Sequence, residues 1–61
     1  MIRKVYYIEN TADLFHALNT LTDAIPCWID TEDVEMNFRK VEILARAEDI
    51  ATVERVLAPL V

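Results

Sequence analysis

From Ile2 to Ile8 the chain is dense in β-branched and aromatic side chains, which predicts a strand. Ile2, Tyr6 and Ile8 share one parity with Lys4, while Val5 and Tyr7 share the other with Arg3. Apolar groups on both parities imply a strand covered on both faces, by helices of its own chain or by a partner. Asn10-Thr11-Ala12-Asp13 then signals a helix start: Asn10 or Thr11 can cap, and Asp13 sits where the helix dipole favours a carboxylate. Leu14, Leu18, Leu21 and Ile25 recur at helical spacing and make a core stripe, with Phe15 at its edge. Asp13, His16, Asn19, Thr20 and Asp23 spread over the opposite, wet face. Pro26 ends this helix, because it disfavours helical dihedrals at Ile25.

The stretch 27–47 is harder to parse. Val34, Met36 and Phe38 share one parity, and Val41, Ile43 and Ala45 share the other. A parity change at Arg39-Lys40 means a bulge in one strand or a turn between two. One uninterrupted strand would be too long for so small a domain. The expectation is a hairpin, 28–37 against 41–46, with Asn37 opening a type I turn; a competing turn lies at Asp30-Thr31-Glu32-Asp33. A second helix follows from Glu48 to Leu57 or beyond, with Glu48 and Asp49 in its first turn and Ile50, Val53, Leu57 and Leu60 as its stripe. Pro59 is its expected stop, and Val56 lies off the stripe as a spare contact for a neighbour.

The order β-α-β-β-α predicts an α+β fold in two layers, a single domain spanning 1–61. It follows the ferredoxin-like pattern lacking its last strand: a mainly antiparallel sheet with two helices on one face. Such a sheet has an open edge where the missing strand would lie and a bare face opposite the helices, both suited to a dimer.

Composition narrows the chemistry. The chain has no Gly, Ser or Gln among its 61 residues. Without Gly there is no Walker A loop, dinucleotide fingerprint or nucleophile elbow, and without Ser no Ser-nucleophile hydrolase. Cys27 is the only cysteine, which excludes an intrachain disulfide and suits a reducing cytoplasm. Apolar residues make up 54% of a chain whose size leaves a folded monomer marginal, which favours a homodimer. The net charge of −5 argues against direct contact with nucleic acid or an anionic membrane. The start, Met1 to Tyr7, has basic residues with no apolar h-region behind them, so no signal peptide is expected, and no apolar run reaches membrane-spanning length.

Few residues suggest catalysis. His16 falls on the polar helix face and reads as a solvated residue. Cys27 follows a helix C-terminus, where the dipole opposes a thiolate, and reads as a small buried hydrophobe. Asp30, Glu32, Asp33 and Glu35 place four carboxylates within six residues, read first as a solvated acidic turn and second as a recognition patch. No metal site or cofactor is expected, since one His and one Cys cannot make a structural zinc site and the acidic run lacks the Gly and distal Glu of an EF-hand. Tyr6, Tyr7, Trp28 and Phe38, with Met36, are mostly expected in the core, with one or two facing a partner. Arg3-Lys4 and Arg39-Lys40 would make a small basic patch for an anionic ligand, but are expected instead to pair with Glu35 and Glu42 across the sheet or with acidic residues of a second subunit.

These features imply a small acidic non-enzymatic interaction protein, homodimeric and cytoplasmic, acting as regulator, adaptor or inhibitor of the kind found in phages and mobile elements. Its candidate partner-binding residues are Asp30, Glu32, Asp33, Glu35, Tyr6, Tyr7 and Trp28. The alternative is a small-molecule-sensing domain with a ligand cleft at a dimer interface. An enzyme would have to rely on carboxylates or tyrosines across such an interface.

Overall fold

The computed structural model describes all 61 residues. Strand β1 (Ile2–Glu9) leads through helix α1 (Ala12–Ala24) to β2 (Cys27–Glu35) and β3 (Phe38–Ala45). A 3-10 turn (Ala47–Asp49), helix α2 (Ile50–Leu57) and a second 3-10 turn (Ala58–Leu60) complete the chain. The sheet has three strands in the order β1-β3-β2, and both pairings are antiparallel. β1 and β2 therefore run in the same direction on either side of β3. The fold is α+β, with a three-stranded antiparallel sheet and two helices.

Residues paired across an antiparallel ladder point to the same side of the sheet. Tyr6 and Thr31 flank Val41, Lys4 and Ile29 flank Ile43, and Ile2 and Cys27 flank Ala45. On that side Ile8, Val41, Ile43 and Ala45 join Leu14, Ala17, Leu18 and Leu21 of α1 and Val53 and Leu57 of α2 in one buried cluster. Tyr6, Ile25, Cys27, Ile29, Ile50, Val56 and Leu60 pack against it, half-buried. Val56 is thus part of the core margin of its own chain rather than a contact held in reserve.

Local signals explain both ends of α1. Thr11 is the N-cap, its Oγ1 accepting from the Leu14 N–H at 3.4 Å. Ile25 is extended, at φ −140° and ψ 152°, as Pro26 requires, so it is the C-cap and lies outside the helical stripe. In the second helical segment Glu48 and Asp49 lie in a 3-10 turn and α2 itself begins at Ile50. Pro59 lies just past the end of the α-helix, which stops at Leu57. It occupies the start of the closing 3-10 turn, where a missing N–H is tolerated.

The hairpin differs most from expectation. The acidic run is strand, not turn: β2 extends to Glu35, and the loop is Met36 and Asn37 alone. Arg39 and Lys40 belong to β3, and Asn37 is the second loop residue rather than the first residue of the turn. No residue has positive φ, so the primed turns that match hairpin twist are not used. A bulge between Asp33 and Glu35 leaves Val34 unpaired and shifts the register by one residue beside the turn. Beyond the bulge the parity of β2 relative to β3 is reversed, so that Glu35 opposes Phe38.

Candidate functional site

The side of the sheet opposite the core cluster is the candidate site. Four rows cross it, each running from β1 through β3 to β2: Arg3, Leu44, Trp28; Val5, Glu42, Asp30; Tyr7, Lys40, Glu32; and Glu9, Phe38, Glu35. Trp28 is 73% exposed and Tyr7 58%, and Val5 and Phe38 are also exposed, while Leu44 is half-buried among them. These aromatic and aliphatic groups contradict the expectation that most aromatics are internal. Met36, at the hairpin tip, is 94% exposed. The reason is geometric: alternation along β1 and β2 divides their apolar residues between two faces, and the buried cluster lies on only one of them.

Charges surround and interrupt the apolar groups. Five carboxylates (Glu9, Asp30, Glu32, Glu35 and Glu42) share this face with two cations, Arg3 and Lys40. The Arg3 Nε donates to Glu42 Oε1 at 2.7 Å, a diagonal cross-strand pair. Asp30, Thr31, Glu32, Lys40 and Glu42 line a depression of about 20 Å³, room for a water molecule and no more. A second, open concavity of about 370 Å³ lies at the hairpin end among Asn10, Asp33, Val34, Glu35 and Met36. Neither has the enclosed, mostly apolar walls of a small-molecule site.

The structure separates the candidate residues predicted from sequence. Asp30, Glu32, Glu35, Tyr7 and Trp28 come together on the open face. Asp33 and Tyr6 lie on the core side of the sheet. Asp33 contacts Arg39 at 3.4 Å, and Arg39 also donates to Asn10 Oδ1 at 3.1 Å and to Thr31 Oγ1 at 3.4 Å. The Arg39 guanidinium stacks 5.3 Å from the centre of the Phe15 ring, so this cluster ties the hairpin to the start of α1. The expected pairing of the basic residues with Glu35 and Glu42 holds only for Arg3 with Glu42. Lys4 turns to the core side and meets Glu54 of α2 at 2.9 Å. Val5 and Leu44, which carry no binding signal in the sequence, share the open face with Lys40 and Phe38. The even-residue alternation 38, 40, 42, 44 marks that face once β3 is known to begin at Phe38.

Ionisable groups are perturbed mainly on the core side. Burial pushes the Tyr6 phenol upward, with Lys4 opposing and Glu54 adding to the rise. Its hydroxyl is buried and has no hydrogen-bond partner. A hydrogen bond to Glu54, reinforced by that carboxylate's charge, raises the Lys4 ammonium. Burial, and secondarily the Asp49 carboxylate, raises the half-buried Cys27 thiol, which opposes the thiolate a nucleophile needs. His16 is exposed on α1. No group of three or more His, Cys, Asp or Glu side chains is placed to hold a metal ion. No helix is long and apolar enough to cross a membrane. No protein-family model, no curated protein and no solved structure matches this chain.

Proposed function

We propose that this chain is a non-enzymatic protein-interaction module of the cytoplasm, a homodimeric regulator, adaptor or inhibitor that presents its open sheet face to another protein. On this reading its architecture is the ferredoxin-like pattern without the last strand, both helices lying on the core side. The observation that carries the proposal is Trp28, three-quarters exposed beside Leu44 on a face that also displays Tyr7, Val5 and Phe38. Aromatic groups of this kind dominate binding energy when a partner desolvates them. The surrounding carboxylates define the partner's chemistry: an apolar protrusion set in a basic surface, as on a nucleic-acid-binding protein whose phosphate contacts the acidic face imitates.

The test uses a partner captured from the host and purified. Its affinity is measured by calorimetry in low and in physiological salt, against the wild-type chain, Trp28→Ala and the threefold variant D30N/E32Q/E35Q. Trp28→Ala is expected to weaken binding by about 2 kcal/mol. The threefold variant should weaken it further at low salt and flatten its salt dependence. Equal affinities for all three chains would overturn the proposal. Because Trp28 is the only tryptophan, its emission reports directly whether a partner covers this face.

A further inference from the structure

The two free edges of the sheet are not equivalent. On β2 the edge carries Asp30, Glu32, Asp33 and Glu35 and is broken by the bulge at Val34, two devices that discourage pairing with another strand. On β1 all eight residues pair with β3 in unbroken register, so its outer edge is long and regular. It has no proline, and its lysine, Lys4, is drawn to Glu54 of α2. Ile2, Val5 and Tyr7 are exposed along it.

The Asn10 N–H donates to the Asn37 carbonyl at 2.7 Å, extending the β1·β3 ladder by one pair. Antiparallel alternation then turns the amides of Ile2, Lys4, Tyr6 and Ile8 towards β3 and those of Arg3, Val5, Tyr7 and Glu9 towards the free edge. We infer that this edge pairs with the β1 edge of a second copy of the chain, antiparallel, with Tyr6 on the two-fold axis. This inference rests on the homodimer of the proposed function and names its surface.

The register follows from charge. With Tyr6 on the axis, Arg3 lies opposite Glu9 of the second copy, Val5 opposite Tyr7, and the same two contacts recur by symmetry. All four pairs involve residues whose amides face outward, and all four lie on the open face. Moving the axis to Val5 sets Arg3 against Tyr7 and leaves Glu9 without a cation; moving it to Tyr7 sets Glu9 against Val5. Self-pairing of β2 about Thr31 would instead set Asp30 against Glu32 twice, a like-charge clash. The resulting six-stranded sheet keeps both copies' helices on one side and joins their open faces into one surface, with a Trp28 near each end.

The test combines light scattering across a concentration series with Trp28 emission. The wild-type chain is expected to form a dimer whose emission equals that of the dilute monomer, because β2 is remote from the contact. Glu9→Arg places like charges opposite one another at both pairs and should weaken self-association about tenfold or more. The swap R3E/E9R should restore the dimer, and Tyr7→Pro, which removes an outward N–H and leaves the β1·β3 ladder intact, should abolish it. Circular dichroism verifies that each variant is folded.

A chain that stays monomeric at every concentration, or assembles beyond a dimer, would overturn the inference. So would a dimer indifferent to Glu9→Arg. A dimer whose Trp28 emission shifts to that of a buried indole would mean that the open faces stack, overturning this inference and removing that face from the proposed partner. Loss of partner binding in Trp28→Ala with the dimer intact separates the two readings.

Discussion

Tyr6 combines two features that make it a sensitive probe of the core side. Its ring packs against the buried cluster, while its hydroxyl is buried without a hydrogen-bond partner. A buried unpaired polar group costs roughly 1–3 kcal/mol, so Tyr6→Phe is expected to stabilise the fold by about 1 kcal/mol in chemical denaturation. The same burial sets a pH dependence. A phenol raised above its ordinary 10.0 holds its proton more tightly in the folded chain than in the unfolded one. Its contribution to stability is therefore complete below that pH and is lost as pH rises through the folded value. Cys27, raised from 9.0, and Lys4, raised from 10.5, act with the same sign. Stability should therefore be level near neutrality as far as these groups are concerned and decline from about pH 9 upward. Tyr6→Phe should show a shallower decline above pH 10 in denaturation midpoints measured along a pH series. An identical alkaline limb in the variant would contradict the assigned cause.

The elements were legible to different degrees, for physical reasons that differ. Helix α1 carries its own signals: Thr11 caps, Leu14, Leu18 and Leu21 face the core, and Pro26 forces Ile25 into extended geometry. Thr11→Ala should cost about 0.5–1 kcal/mol in denaturant melts, the lower part of the capping range because the Oγ1 contact is long, at 3.4 Å. Thr11→Asn should leave stability nearly unchanged. The β2–β3 hairpin lacks such punctuation. With no Gly and no residue at positive φ, its loop is ordinary in composition, and the unpaired Val34 displaces the parity by which a turn would be located. The alternation Val41, Ile43, Ala45 correctly marked the buried side of β3. The residues just before it were misassigned because Arg39 and Lys40 are strand residues with local partners: Arg39 is held by Asn10, Thr31, Asp33 and Phe15, and Lys40 lies between Tyr7 and Glu32 in the ladder.

For the whole molecule, size is the governing quantity. Ten buried side chains make the entire core, and none of them is polar. A domain of this length has a total stability of roughly 3–9 kcal/mol. Ile43, fully buried at the centre of β3, should show this margin. Ile43→Val is expected to cost about 1 kcal/mol, while Ile43→Ala, at about 2–5 kcal/mol, should consume most of the stability and shift or abolish the cooperative thermal transition. The same shortage of core explains why so much apolar surface remains outside. The one buried cluster lies on a single side of the three-stranded sheet, so Trp28, Tyr7, Val5 and Phe38 stay exposed on the other. Self-association along β1 would stabilise the fold by mass action while leaving that face available, and melting temperatures should then rise with protein concentration.

Periodicity along this chain determined the class of fold, both helices with their inward stripes, the core parity of β3, and the absence of the glycine- and serine-dependent chemistries. These are local matters, decided by which side chains recur at the spacing of a turn or a pleat. Alternation also divided the apolar residues of β1 between two faces, but it carried no information on which face would be covered. Only the tertiary structure decided that, because coverage depends on where the helices return to the sheet. It likewise placed Phe38 and Lys40 in β3, brought Trp28, Leu44 and Tyr7 onto one open surface, and left β2 guarded by charge and a bulge while β1 stayed regular. Those outcomes rest on strand pairing between residues distant in sequence, whose register a single unpaired residue, Val34, was enough to conceal.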